Sequence, residues 1–96
     1  MKKINYYAIG GQYYFYCYGG AETLTGAKRI ASANAEYWDN WQGWHIPAVY
    51  RAADTMTDDS GARWPAPWAR PVAVARYGSN YRVRWENMGG GEDDHA

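Results

Sequence analysis

Hydrophobic and polar residues alternate most clearly at the start of the chain, where the runs KINYYAI and QYYFYCY flank Gly10 and Gly11. Both runs are rich in aromatic, β-prone residues, and paired glycines tolerate the positive φ that tight primed hairpin turns need. The pattern predicts an antiparallel hairpin over residues 3–18 with Gly10 and Gly11 as its two loop residues. In that register Ile9 lies opposite Gln12, Ala8 opposite Tyr13, Tyr7 opposite Tyr14 and Tyr6 opposite Phe15. Side chains alternate across the pleat, so Ile4, Tyr6, Ala8, Tyr13, Phe15 and Cys17 form the expected core face. Lys3, Asn5, Tyr7, Tyr14, Tyr16 and Tyr18 form the other, too polar for a core and dense in phenol rings.

Gly19 and Gly20 read as the end of this hairpin. Beyond them Leu24, Ala27, Ile30, Ala31, Asn34 and Trp38 recur at three- and four-residue spacing, which predicts a helix over residues 26–37 with Thr23 or Thr25 as its N-cap. Its inward face is mostly alanine and can lie close to a sheet, so the helix is expected across the inner face of the hairpin. Trp38, Trp41 and Trp44 are separated by turn formers, and Pro47 forbids a helix through Ile46, so this segment reads as an ordered loop. Residues 48–52 suit a short strand, and the polar, aperiodic residues 54–61 a flexible loop. In RWPAPWARP, residues 63–71, three prolines impose extended geometry and exclude a central strand. A second hairpin is expected over residues 72–77 and 81–86 around Gly78, Ser79 and Asn80, with Tyr77 opposite Tyr81. Ala73, Ala75, Tyr77, Tyr81, Val83 and Trp85 then share one face, and Val72, Val74, Arg76, Arg82, Arg84 and Glu86 the other. The expected fold is α+β: a small antiparallel sheet of two hairpins plus a short strand, with one helix on one face, in the order ββα-β-ββ. Residues 1–88 form a single compact domain on this reading, and residues 89–96 a flexible acidic tail.

Composition supports a folded core: of 96 residues, 47% are hydrophobic and 18% aromatic. Ten Lys and Arg balance ten Asp and Glu, which argues against coating nucleic acid by bulk charge. The balance conceals a dipole. Arg63, Arg70, Arg76, Arg82 and Arg84 fall in an acid-free stretch, while acids gather at Asp54, Asp58, Asp59 and at Glu92, Asp93, Asp94. Cys17 is the single cysteine, so no intramolecular disulfide forms, and with only His45 and His95 it cannot close a zinc site. The N-terminal residues lack an apolar run of signal-peptide length and no window approaches a membrane span. A cytoplasmic protein without membrane contact is therefore expected.

Catalytic chemistry finds little purchase in this pattern. Cys17 is expected to be a buried, inert thiol. His45, between Trp44 and Ile46, has no evident Ser or acid beside it, and a small hydrolase built on His45 and an Asp is the residual enzyme reading. Asp58 and Asp59 sit together in a soft loop, and the glycine pairs lack phosphate-loop spacing. RWPAPWARP resembles a ligand for proline-recognition domains, but its two tryptophans suit a segment pinned to its own protein. No catalytic residue, metal or cofactor is assigned. What remains is a face of Tyr7, Tyr14, Tyr16 and Tyr18 on one hairpin and Arg76, Arg82 and Arg84 on the other, residue types that dominate binding hot spots. These seven are the expected partner-binding residues. A host protein or ribonucleoprotein is the expected partner, with nucleic acid, stacked on the rings, as the alternative. A second copy of the chain, as a homodimer, is a further occupant of the tyrosine face.

The stretch LTGAKRIASANAEYWDNWQGWHIPAVYRAAD, residues 24–54, and above all its part WDNWQGWHIPAVY, resembles short reading frames carried by bacterial phages and other mobile elements. Small, aromatic, cysteine-poor proteins of such elements are similar to anti-CRISPR inhibitors. That resemblance implies inhibition by occupying a surface of a Cas effector, without catalysis, and assigns no residue of its own.

Overall fold

Seven strands and one α-helix are formed by the described residues, 3–11, 15–35, 38, 46–77 and 83–88 of the computed structural model. In chain order they are β1 (Tyr6–Gly10), β2 (Tyr16–Ala21), α1 (Leu24–Ser32), β3 (Pro47–Arg51), β4 (Thr55–Thr57), β5 (Arg63–Pro65), β6 (Ala73–Tyr77) and β7 (Val83–Asn87). A 3-10 turn at Ala52–Asp54 joins β3 to β4. The large sheet is antiparallel in the order β2-β1-β3-β6-β7, and β4 and β5 make a separate antiparallel ribbon. The fold is thus α+β, as expected. The short strand β3 pairs with β1 on one side and β6 on the other, which places both hairpins in one sheet.

Helix α1 starts where the Thr23 hydroxyl accepts the Gly26 N–H at 3.0 Å, satisfying a backbone donor that the helix itself cannot. It stops at Ser32, short of residue 37. The Asn34 side-chain amide donates to the Ile30 carbonyl at 2.9 Å, and Ala33 closes the last turn onto Arg29. Local side-chain bonding of this kind competes with helix propagation. Leu24, Ala27 and Ala31 are buried against Tyr6, Ala8, Val49, Ala73 and Ala75, and Trp38 joins the same core. The expected inward stripe is realised at Leu24, Ala27 and Ala31, whereas Asn34 is exposed and Trp38 reaches the core from beyond the helix end. At the far edge of the sheet, the Trp85 indole N–H donates to the Ser32 hydroxyl at 3.1 Å and the Lys28 ammonium to the Asn87 side chain at 2.8 Å, tying α1 to β7.

The first hairpin departs from its expected register. Gly11 has the positive φ of 126° that a glycine supplies, but the chain does not return at once. Pairing begins at Gly10 with Tyr16, continues with Ile9 opposite Cys17, and resumes after a bulge with Ala8 opposite Gly19, Tyr7 opposite Gly20 and Tyr6 opposite Ala21. Gly19 and Gly20 are strand residues, not the end of the hairpin. Because side-chain direction alternates, an odd shift in register exchanges the faces. Tyr16 moves to the side of Tyr6 and Ala8, Cys17 moves to the side of Tyr7, and the bulged Tyr18 packs against the helix-side core. Phe15 and Ile4, expected in the core, are exposed. The second hairpin slips by an even number: Tyr77 pairs with Val83 in place of Tyr81, so β6 and β7 keep their expected faces, whereas Val72, expected on the outer face, lies just before β6 and is buried in the helix-side core.

Residues 54–61, read as a flexible loop, instead supply β4 and an ordered turn into β5. Oδ1 of Asp58 accepts the Ser60 N–H at 2.9 Å, the Ser60 hydroxyl at 2.6 Å and the Ala62 N–H at 3.0 Å. The Ser60 side chain foremost, and then the backbone donors, hold the carboxyl below the usual range. A depressed folded-state pKa means that this contribution is complete above the unfolded-state pKa and is lost as pH falls through the folded one. Acidification below the ordinary carboxylate range should therefore raise amide exchange at Ser60 and Ala62, measured by NMR and corrected for intrinsic rates. Asp58→Asn should abolish that pH dependence. Arg63–Pro65 is extended and lies in a two-stranded ribbon, where proline costs no central ladder bond.

Candidate protein-binding surface

The sheet face away from α1 carries Tyr7, Ile9, Cys17, Gly20, Ala48, Tyr50, Val74, Arg76, Arg84 and Glu86 by register. This was the expected site of an open tyrosine and arginine platform. The β4–β5 ribbon covers its β1 end. The Arg63 guanidinium stacks 4.1 Å from the centroid of the Tyr7 ring and donates to the Thr55 hydroxyl at 2.6 Å. The Tyr7 ring also lies across Gly20, where a Cβ would come within 2.7 Å of the ring. Tyr7 is thereby clamped between strand and ribbon. Ile9, on this face by register, is buried, as is Ala66 just past β5. Burial raises the Cys17 thiol above its ordinary pKa, partly offset by the Gly19 backbone and by Arg63, which leaves a weakly nucleophilic sulfur. Cys17 is half-buried on this outer face and not in the helix-side core. Burial likewise pushes the Tyr50 phenol up.

Of the seven expected partner-binding residues, the five among the described residues are not brought together. Tyr7 lies beneath Arg63. Tyr16 and Tyr18 fall on the helix side and meet edge to face at 5.0 Å. Arg76 and Arg84 stand exposed on the outer face of β6 and β7, where Arg76 pairs with Glu86 at 3.2 Å. Both side chains of that pair are 60% exposed, so the bridge contributes about 0.2–1 kcal/mol at most. Tyr14 and Arg82 lie outside the described residues, as do Trp41, Trp44, His45 and the tail over residues 89–96. Among the described residues no group of three or more His, Cys, Asp and Glu side chains is placed to hold a metal ion. No described helix is long and apolar enough to cross a membrane.

A different surface is assembled where the ribbon meets the sheet. An open groove of about 580 Å³ is walled by Phe15, Tyr50, Met56 and Trp64 and by the turn through Pro65, Ala66, Pro67 and Ala69. A second depression of about 410 Å³ shares Phe15 and continues past Tyr16, Cys17 and Arg63. Phe15 is 51% and Met56 42% exposed, and Trp68, in the same proline-rich turn, is 68% exposed. Trp64 is partly buried and holds the segment down as expected, whereas Trp68 does not. Each of these residues is unremarkable in its own stretch of sequence. They meet because β3 carries Tyr50 beneath the ribbon, and no local periodicity announces that crossing. No family model matches the chain, and no curated protein or solved structure matches it.

Proposed function

We propose that the chain is a non-catalytic binding protein, encoded by a mobile element, that inhibits by covering a surface of a host protein or ribonucleoprotein, with a Cas effector as the candidate target. The supporting observation is the groove between sheet and ribbon, rimmed by the exposed side chains of Phe15 and Met56 over a floor of Tyr50 and Trp64. Clustered apolar and aromatic groups left in water mark contact surfaces, and aromatic anchors in such grooves carry most of the energy of an interface. The nucleic-acid alternative draws no support from this arrangement, since Arg63 covers Tyr7 and Arg76 faces Glu86.

The test is cleavage of target DNA by purified Cas effectors with and without the chain. The intact protein should suppress one effector stoichiometrically. The double substitution Phe15→Ala and Met56→Ala should weaken binding by about 30-fold or more, the scale of a lost hot spot, with an unchanged circular dichroism spectrum. Unimpaired inhibition by that variant would remove the groove from the proposal. Absence of binding to every effector tried would remove the target.

A further inference from the structure

The outer edge of β7 is a strand whose charges complement a second copy of itself. β7 ends the large sheet, and among the described residues no strand pairs with its outer side. The Met88 N–H donates to the Val72 carbonyl at 2.8 Å, so residue 88 points its backbone groups toward the β6 side. Backbone direction alternates along a strand, so Glu86 and Arg84 also bond inward and the peptide groups of Val83, Trp85 and Asn87 face outward. An unpaired row of donors and acceptors of this kind is a template for another strand.

Two observations select a copy of this chain as that strand. Antiparallel pairing of β7 with itself about Trp85 sets Trp85 opposite Trp85 and Val83 opposite Asn87, each pair using outward-facing groups. The same register sets Arg84 opposite Glu86 twice, once on each side of the two-fold axis. Those are the non-hydrogen-bonded positions, where Cα atoms approach to about 4.5 Å and side chains are closest. Within one chain, moreover, Arg84 lies directly across from Arg76, a like charge, while the carboxylate of Glu86 serves Arg76 through Oε1. Among the described residues no carboxylate is paired with Arg84, and a second copy would bring it one, using the remaining oxygen of Glu86.

We propose that the chain associates into a two-fold homodimer by antiparallel β7–β7 pairing centred on Trp85, making one continuous sheet. The groove beside β2, β3 and the ribbon lies away from this edge in the strand order, so the dimer carries two open grooves. The proposal does not rest on the function suggested above, because it is tested with the purified chain alone.

Sedimentation equilibrium of the full chain over a range of concentrations should show reversible monomer–dimer exchange. Arg84→Glu places carboxylates against carboxylates, and Glu86→Arg places guanidiniums against guanidiniums. Each alone should raise the dimer dissociation constant about tenfold or more, since two opposite-charge pairs become two like-charge pairs. Mixing the two variants should restore association, because each then meets its opposite across the axis, and the double variant R84E/E86R should dimerise by itself. Circular dichroism melts establish that each variant is folded. A chain that stays monomeric throughout, a dimer indifferent to Arg84→Glu, or folded single variants that fail to associate when mixed would each overturn the proposal.

Discussion

Gly20→Ala should loosen the β4–β5 ribbon from the large sheet and destabilise the protein by about 2 kcal/mol, the middle of the range for overpacking a filled site. A Cβ at Gly20 would stand 2.7 Å from Cγ2 of Ile4 and 2.7 Å from Cε1 of Tyr7. Ile4 is exposed and can swing aside. Tyr7 cannot, because Arg63 lies on its ring at 4.1 Å. The ring must therefore lift, and the cation–π contact, itself about 0.5–1 kcal/mol, goes with it. For a domain of this size such a loss lowers the melting temperature by roughly 10 °C. Two readouts separate this account from simple strand weakening. Cys17 lines one depression together with Gly61, Ala62 and Arg63, so lifting the ribbon should expose it and speed its reaction with alkylating reagents at fixed pH. In a Tyr7→Ala background the cost of Gly20→Ala should largely vanish, giving a strong coupling in a double-mutant cycle. Equal costs in both backgrounds would show that the clamp does not exist.

The same clamp explains what was legible in the sequence and what was not. The core stripe of α1 was legible because helical spacing is a local property: Leu24, Ala27 and Ala31 are buried as the pattern implied, but the stripe does not continue past the helix end, where Asn34 is exposed and Trp38 is buried outside any helix. Strands β6 and β7 kept their faces although their register moved, because a slip of two residues preserves alternation. The first hairpin failed at Gly19 and Gly20. A glycine pair after an aromatic run reads as a turn, yet Gly20 is needed to seat the Tyr7 ring and Gly19, at a φ of 152°, to admit Ile30. Both needs come from residues distant in sequence, and neither leaves a trace in the local pattern. The bulge that accommodates them moved Tyr16 and Cys17 across the sheet and dispersed the tyrosine platform. The groove was illegible for a related reason. Its walls come from Phe15, Tyr50, Met56 and Trp64, joined only by the passage of the ribbon over β3.

Ala27→Leu should be as damaging as the glycine substitution, and it probes the opposite layer. Ala27 and Ala31 are wholly buried, and Ile30 of the same helix reaches to within 3.0 Å of where a Cβ on Gly19 would stand. A Cβ on Gly26 would likewise lie 3.0 Å from that of Ala21. The helix axis is therefore set by alanine and glycine surfaces in contact, with no room for a longer side chain. Leucine at position 27 must push α1 off the sheet or force strained rotamers, at a cost of about 1–3 kcal/mol. Alanine and leucine are both strong helix formers, so the loss does not come from the helix itself. Arg29→Leu is the control, because Arg29 is exposed and the change should shift stability by no more than about 0.5 kcal/mol. Thermal melts that separate Ala27→Leu from Arg29→Leu confirm the close approach. The displacement should also break the Lys28–Asn87 and Ser32–Trp85 bonds that hold β7 in place, so the defect should reach the far edge of the sheet. If the two variants melt together, alanine at position 27 reflects helix propensity alone and the helix does not rest on the sheet as described.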